Sequence, residues 1–362
     1  MIILHSCIKG IILLKILTAK LNQPIALIKT GQVKKFVEML QMVEKDIYPI
    51  IERVGLPEKV LNTAHPYIPE IPVRLLLAEI FNVCGIKTYQ EVCWRACREL
   101  FIPSMLDKVS DAQNLQQLLI EYINILKNES TQFKLSLENA VNKTWLVREK
   151  AFADDAWYLY AELFSMAYMI ELIRAVTKDK WSPAQISIQS NEPELFKQLL
   201  WADNNQGALP QIFSERGVCA ICIPDELLSV TFKHQHTWVK PVKDKDAPSD
   251  FIGSLTIALP AYLNEGKLPI SKAARMTGMS VRTFQRRLDT FGLNYTQILK
   301  KIQLQEAQYY LAHTDVTITI IAVGLGYSDT AHFSRAFKRL SGVTPSQYRY
   351  QCKNNAMSSN GN

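Results

Sequence analysis

Two stretches in the last third of the 362-residue chain, TGMSVRTFQRRLDTFG at 277–292 and LGYSDTAHFSRAFKRLSG at 325–342, repeat one pattern. Each opens with a glycine-bearing turn and a serine, then runs on with aromatic and aliphatic side chains spaced as on one face of a helix. In the first, Val281, Phe284 and Leu288 form the inward stripe, leaving Arg282, Gln285, Arg286 and, toward the flank, Arg287. In the second, Phe333, Phe337 and Leu340 turn inward, while Thr330, Ala331, His332, Ser334 and Arg335 face out. A short helix precedes each stretch: PISKAARMTGM carries Ala274 and stops at Gly278, and ITIIAVGLG carries Ala322 and stops at Gly326. Ser280 and Ser328 stand where an N-cap hydroxyl accepts a hydrogen bond from a free helix amide. The expected unit is helix, tight turn, helix, and it occurs twice.

Between the two units, YTQILKKIQLQEAQYYLAHT at 295–314 is one continuous helical pattern. At 1.5 Å per residue it spans about 30 Å, close to the roughly 34 Å between successive turns of a duplex groove. Charge divides at the same place. Residues 251–362 hold 13 basic against 5 acidic side chains, and residues 1–250 hold 28 against 29. A basic module joined to a nearly neutral one points to a polyanionic partner.

The outward residue types suit double-stranded DNA. Arginine pairs bidentately with guanine, glutamine with adenine, and threonine or alanine methyls meet the thymine methyl. Base reading is therefore assigned to Arg282, Gln285, Arg286, Thr330, Ala331, His332 and Arg335. Phosphate binding falls to Ser280, Arg287, Lys300, Lys301, Ser328, Lys338, Arg339 and Arg349, which set the docking angle without reading sequence. The core of the two units is expected at Ala274, Gly278, Val281, Phe284, Leu288, Ala322, Gly326, Phe333, Phe337 and Leu340. The alternative for this module is a non-enzymatic interaction protein whose basic helical domain docks a protein or another polyanion.

The best boundary is VKPVKDKDAPSD at 239–250, where two prolines and alternating charge stop the apolar rhythm. The expected organisation is a regulatory, effector or dimerisation domain over 1–240, a linker over 241–250, a DNA-binding domain over 251–350 and a disordered tail over 351–362. Helical spacing marks 32–46, 73–85, 89–101, 115–130 and 154–177; alternation marks strands within 133–152, at 184–190 and at 218–224. The fold class is an α+β N-terminal domain followed by an all-α DNA-binding domain with two helix-turn-helix units joined by a long helix.

Other chemistry is weakly represented. The apolar first 20 residues are interrupted by Lys9 and Lys15, and neither piece approaches the roughly 20 residues of a membrane-spanning helix. Seven cysteines without framework spacing suggest reduced thiols, so a cytoplasmic location and no membrane partner are expected. Cys219 and Cys222 point to opposite faces of a strand, Cys84, Cys93 and Cys97 read as small buried hydrophobes, and His234 and His236 give a faint metal signal. Asp154 and Asp155 open a helix, where the dipole favours them. No nucleotide loop, nucleophile elbow or metalloprotease motif occurs, so no enzyme activity, cofactor or metal is expected. In the aromatic stretch WYLYAELFSMAYM, Trp157, Tyr160, Phe164 and Tyr168 are the candidates for an effector pocket, with core packing as the ordinary alternative.

GYSDTAHFSRAFKRLSGVTPSQYR at 326–349, with Gly326, Phe333, Arg335, Phe337, Gly342, Pro345, Tyr348 and Arg349, resembles the signature of the AraC/XylS family of bacterial transcription regulators. SKAARMTGMSVRTFQRRL matches the family's first unit at Ala274, Gly278, Ser280, Arg282, Thr283, Gln285, Arg286 and Leu288. The resemblance implies sequence-specific transcription regulation, by family habit activation, with duplex DNA as partner and RNA polymerase as a contact of an activator. It leaves open a small-molecule effector and a homodimer. One departure stands in KIQLQEA, where Gln303 replaces an arginine usual in the family and removes a charged tie of the long helix. More loosely, GLPEKVLNTAHPYIPEIPV at 55–73 and GVCAICIPDELLSV at 217–230 resemble the N-terminal domain, named for arabinose binding, of a subfamily that regulates ornithine and arginine use and virulence genes.

Overall fold

The computed structural model describes residues 22–131, 133–150, 155, 157–177, 181–201, 209–232, 247–265 and 268–359. The apolar first 20 residues, Asp154, the His234 and His236 pair and most of the expected linker lie outside the described residues. The chain forms two compact units. Among the described residues, one comprises those within 26–56 and 70–247; the other gathers those within 22–25, 57–69 and 248–359.

The first unit is built on helices and one sheet. Helix α1, Thr30–Gln41, buries Val33, Phe36, Val37 and Leu40 at helical spacing. After α2, Tyr48–Val54, comes α3, Ile71–Ala96, bent at Gly85, whose φ of 71° and ψ of 173° suit a residue without Cβ. The two helical segments expected at 73–85 and 89–101 are thus the two arms of this bent helix and its continuation. A π-helical turn, Cys97–Phe101, leads into α4, Ile102–Leu106. Helix α5, Leu115–Glu129, starts at Asn114, whose side chain accepts the Gln117 amide at 2.9 Å.

Strands β1, Phe133–Ala140, and β2, Lys143–Lys150, form an antiparallel hairpin, where the alternating stretch was expected. With β3, Gln185–Ser187, β4, Gln211–Phe213, and β5, Cys219–Pro224, they make a sheet of order β1-β2-β5-β3-β4. Its pairs are antiparallel except β3 with β4. Central strand β5 is a continuous apolar run, buried from Cys219 through Ile223. Both of its cysteines are free, and among the described residues no group of three metal-binding side chains occurs. Helix α6, Tyr158–Thr177, is apolar nearly all round and packs against α3 and β5, with Leu163, Met166, Ala167, Ile170 and Leu172 fully buried. Two short helices follow it in the chain, α7, Pro193–Trp201, and α8, Asp225–Leu228.

The second unit is helical. Its elements are α9, Phe251–Ala258; a 3₁₀ segment, Leu259–Glu265; α10, Ile270–Met276; α11, Val281–Asp289; α12, Tyr295–His313; α13, Ile318–Gly324; α14, Thr330–Ser341; and α15, Pro345–Ser359. Rings bind the pieces together: Phe284 lies 6.0 Å from both Phe251 and Tyr295, and Phe337 5.8 Å from Phe333 and 5.6 Å from Tyr348. Helix α12 carries a capping box, with Asn294 and Gln297 satisfying each other's backbone amides, and buries Ile298, Ile302, Ala307 and Leu311.

Two boundaries differ from expectation. Residues 57–69 belong to the helical unit: the strand Tyr67–Pro69 packs on α9, and His65 Nε2 comes 3.9 Å from Glu306 Oε2 on α12. A composition break marks where a linker starts, yet not a loop that leaves one core to join another. The tail is also ordered further than expected, because α15 continues through 351–359 and Lys353 pairs with Asp315 at 2.6 Å.

Candidate functional site

Each of the short helices α11 and α14 follows a glycine in the left-handed region, Gly278 at φ 70° and Gly326 at φ 78°. A Cβ at that φ is strained, so the chain reverses there and launches a second helix from the first. Apolar anchors then fix each helix. Phe284 and Leu288 are fully buried on α11, and Phe333 and Phe337 nearly so on α14. Ala274 and Ala322 are buried on the preceding helices.

The outward faces follow from those anchors. Arg282, Gln285 and Arg286 are exposed on α11; Ala331, His332 and Arg335 are exposed on α14, and Thr330 is half-buried with its hydroxyl 3.3 Å from that of Thr319. Lys300, Lys301, Lys338 and Arg339 are exposed around them. The His332 ring stands edge-on to Tyr327, their centroids 5.4 Å apart.

Several expected roles shift. Ser280 caps α11, its Oγ accepting the Thr283 amide at 3.2 Å. Ser328 does not cap α14; Asp329 does, taking the His332 amide at 2.6 Å, while the Ser328 hydroxyl donates to Asp329. That amide hydrogen bond holds the Asp329 carboxyl below the usual range, so a negative charge already occupies the helix start. Arg287 is 9% exposed, its guanidinium 3.8 Å from the centre of the Phe251 ring and donating to the Gln23 carbonyl. It is spent on packing, not available on the phosphate side, and burial lowers its pKa. Arg349 donates to the Val316 carbonyl, tying α15 to the turn before α13. Leu340 is 43% exposed, and Ala336 takes the buried place at i+3 from Phe333. Val281 is half-buried, and the turn glycines are exposed or half-buried.

Gln303 supplies a neutral tie. Its Nε2 donates to the Leu325 carbonyl at 2.8 Å, and its Oε1 faces the Tyr327 hydroxyl at 3.4 Å, so α12 holds the turn between α13 and α14 without a charge.

A second feature lies within the α+β unit: a cavity of about 110 Å³ between α1, α3, α5 and α6. Phe164 and Tyr168 line it, together with Phe36 and Phe101. The other two aromatic candidates do not. Trp157 lies under the Arg74 guanidinium at 4.5 Å, and Tyr160 packs 4.6 Å from Phe81. Sequence reasoning missed the charged lining, Glu70, Arg74, Glu129 and Arg148. Signals for it exist: Arg74 stands alone in the apolar run PVRLLLA, and strand alternation puts Arg148 on the same face as buried Leu146.

Residues 273–351 match a helix-turn-helix domain. This is the segment from α10 through the first half of α15. Curated relatives align over the same region: an ornithine utilization regulator of Pseudomonas aeruginosa is 36% identical over 80 residues, 22% of this chain and 24% of that protein. A transcriptional activator, NphR, of Rhodococcus is 31% identical over 87 residues, covering 24% of this chain and 26% of that one. The aligned part thus spans about a quarter of the length of these relatives. Over a longer stretch, the crystal structure of the transcriptional regulator CdpR from Pseudomonas aeruginosa aligns with 83% of this chain and 98% of its own at 16% identity, with a TM-score of 0.32.

Proposed function

We propose that the protein is a sequence-specific DNA-binding transcription regulator of the AraC type, acting as an activator. In this reading α11 and α14 are recognition helices of two helix-turn-helix units and enter adjacent major-groove segments of one duplex, with α12 as the spacer. Nineteen residues of α12 give a length of about 28 Å. The observation that carries the reading is the pair of amphipathic helices at equivalent places after Gly278 and Gly326, each anchored by phenylalanine and each showing arginine outward. Arg282, Gln285, Arg286, Ala331, His332 and Arg335 would read base edges, and Lys300, Lys301, Lys338 and Arg339 would hold phosphates.

The α+β unit is the regulatory half in this proposal. Chain continuity supports it: residues 57–69, packed against α9 and α12, run directly into Glu70, which lines the cavity. The relatives' names, a utilization regulator and an activator, support the transcription-regulator reading of the helical unit alone. The test is selection from random duplexes with the full chain. A regulator of this kind enriches a defined sequence; a basic module that docks proteins or other polyanions enriches none.

A further inference from the structure

The two edges of the sheet in the α+β unit differ. β4 is three residues long and follows Pro210, whose ring leaves that edge without one donor. β1 forms the other edge over eight residues, Phe133–Ala140, paired with β2 without a bulge from Phe133 opposite Lys150 to Ala140 opposite Lys143. It contains neither proline nor glycine, and among the described residues no strand lies beyond it in the sheet. A long, regular edge of this kind is a template for a further strand.

The hairpin turn decides which backbone groups that edge presents. β1 and β2 are joined by Val141 and Asn142, the latter at φ 58°. A two-residue turn closes on a hydrogen-bonded pair, here Ala140 with Lys143, so the even-numbered residues of β1 bond to β2 and the odd-numbered ones turn their N–H and C=O groups outward. Thr131 has the same parity, and its amide donates to the Leu27 carbonyl at 3.0 Å, while Ile28 bridges Ser130. That segment covers the edge before β1 begins. The open length runs from 133 to 139, and its midpoint is Ser136.

Charge selects the same point. Lys134, with its side chain 87% exposed, and exposed Glu138 stand at equal distances on either side of Ser136, on the solvent face of β1. Leu135 is buried and Leu137 half-buried on the alternate face, which packs against α5. When a second copy of β1 runs antiparallel about a twofold axis at Ser136, Lys134 of each copy stands opposite Glu138 of the other. Both are non-hydrogen-bonded pairs, where side chains approach most closely. An axis at Lys134 or Glu138 would set like charges opposite each other, and an axis at Leu135 or Leu137 would leave the charges unmatched.

We propose that the protein forms a homodimer through this edge, β1 of one copy pairing antiparallel with β1 of a second in the register centred on Ser136, so that one sheet runs through both copies. Backbone hydrogen bonds and exposed ion pairs contribute modestly, so the dimer is weak and reversible.

The experiment is sedimentation velocity of the full chain, without DNA, over a range of concentrations. A concentration-dependent monomer–dimer equilibrium is expected. Glu138→Lys, on an exposed position, should keep the melting profile and weaken association at least about tenfold, because it turns two attractive pairs into repulsive ones. Combining it with Lys134→Glu restores opposite charges across the axis and should bring the affinity back to within about threefold. The register is read by cross-linking under mild oxidation. Ser136→Cys places its thiols in a non-hydrogen-bonded pair about 4.5 Å apart at Cα, within disulfide range, whereas Lys134→Cys leaves them about 13 Å apart along the strands. A monomer at every concentration overturns the proposal, as does a dimer indifferent to the charge reversal, or cross-linking of Lys134→Cys as readily as of Ser136→Cys. No duplex enters these measurements, so their failure leaves the DNA-binding reading standing, and loss of duplex selection leaves this one standing.

Discussion

The helical unit wears its candidate chemistry outside, whereas the α+β unit keeps its own inside. In the helical unit, phenylalanines fix two helices so that arginine, glutamine and histidine are exposed as consequences of helical spacing. In the α+β unit the distinctive groups, Arg74 and Arg148, are among the least exposed charged side chains and line one cavity from two distant elements, a bent helix and a strand. An exposed site is set by local periodicity; an interior one depends on which long-range contacts form.

That contrast can be broken at its anchors. Phe284→Ala or Phe337→Ala should destabilise the helical unit by about 3 to 5 kcal/mol, the range for deleting a fully buried ring. In thermal unfolding the effect should be confined to the helical unit's transition. A melt unchanged by either substitution would contradict the inward assignment.

A pH experiment sharpens the role of residues 57–69. Burial pushes Glu306 up to about 7, and burial lowers His65 beside it, so both groups favour their neutral forms. A carboxyl with a raised folded pKa contributes stability that is complete below its unfolded pKa of about 4.3 and is lost as pH rises through about 7. Glu306→Gln should therefore leave stability at pH 4 little changed and raise it at pH 8 by about 2 kcal/mol, after allowing for partial solvent access. Denaturant titrations at the two pH values measure the difference.

Smaller effects separate the faces of the helical unit. Lys338→Ala or Lys300→Ala should weaken binding on every duplex alike and reduce the salt slope by about one for each phosphate no longer neutralised. Arg287→Ala should act instead on stability, by removing the stacking on Phe251. At the helix start, Asp329→Ala should cost about 1 kcal/mol and Ser328→Ala close to nothing, because the aspartate is the cap. Equal costs for the two would restore the serine as cap.

Much of the helical unit was legible in the sequence, because Phe284 and Leu288, and Phe333 and Phe337, declare their faces at a spacing of four. Misreadings arose where two residues compete for one place. Ser328 and Asp329 are adjacent cap formers, and only the backbone decides between them. Arg287 looks like a surface cation until Phe251 and Gln23, 36 and 264 residues away, close over it. In the α+β unit the hairpin and the buried strand Cys219–Pro224 could be read from alternation and apolar runs. Its cavity could not, since Phe36, Arg74, Phe101 and Arg148 lie on four separate elements that no local pattern connects.

The central claim, that α11 and α14 read separate segments of one duplex, is tested most directly by duplex selection with Arg286→Ala and Arg335→Ala beside the unaltered chain. Two enriched half-motifs about one helical turn apart are expected, each variant losing information in one of them at a cost of about 1 to 3 kcal/mol against its matched base. Loss spread evenly over both half-motifs in either variant, or enrichment of a single undivided motif, would contradict it.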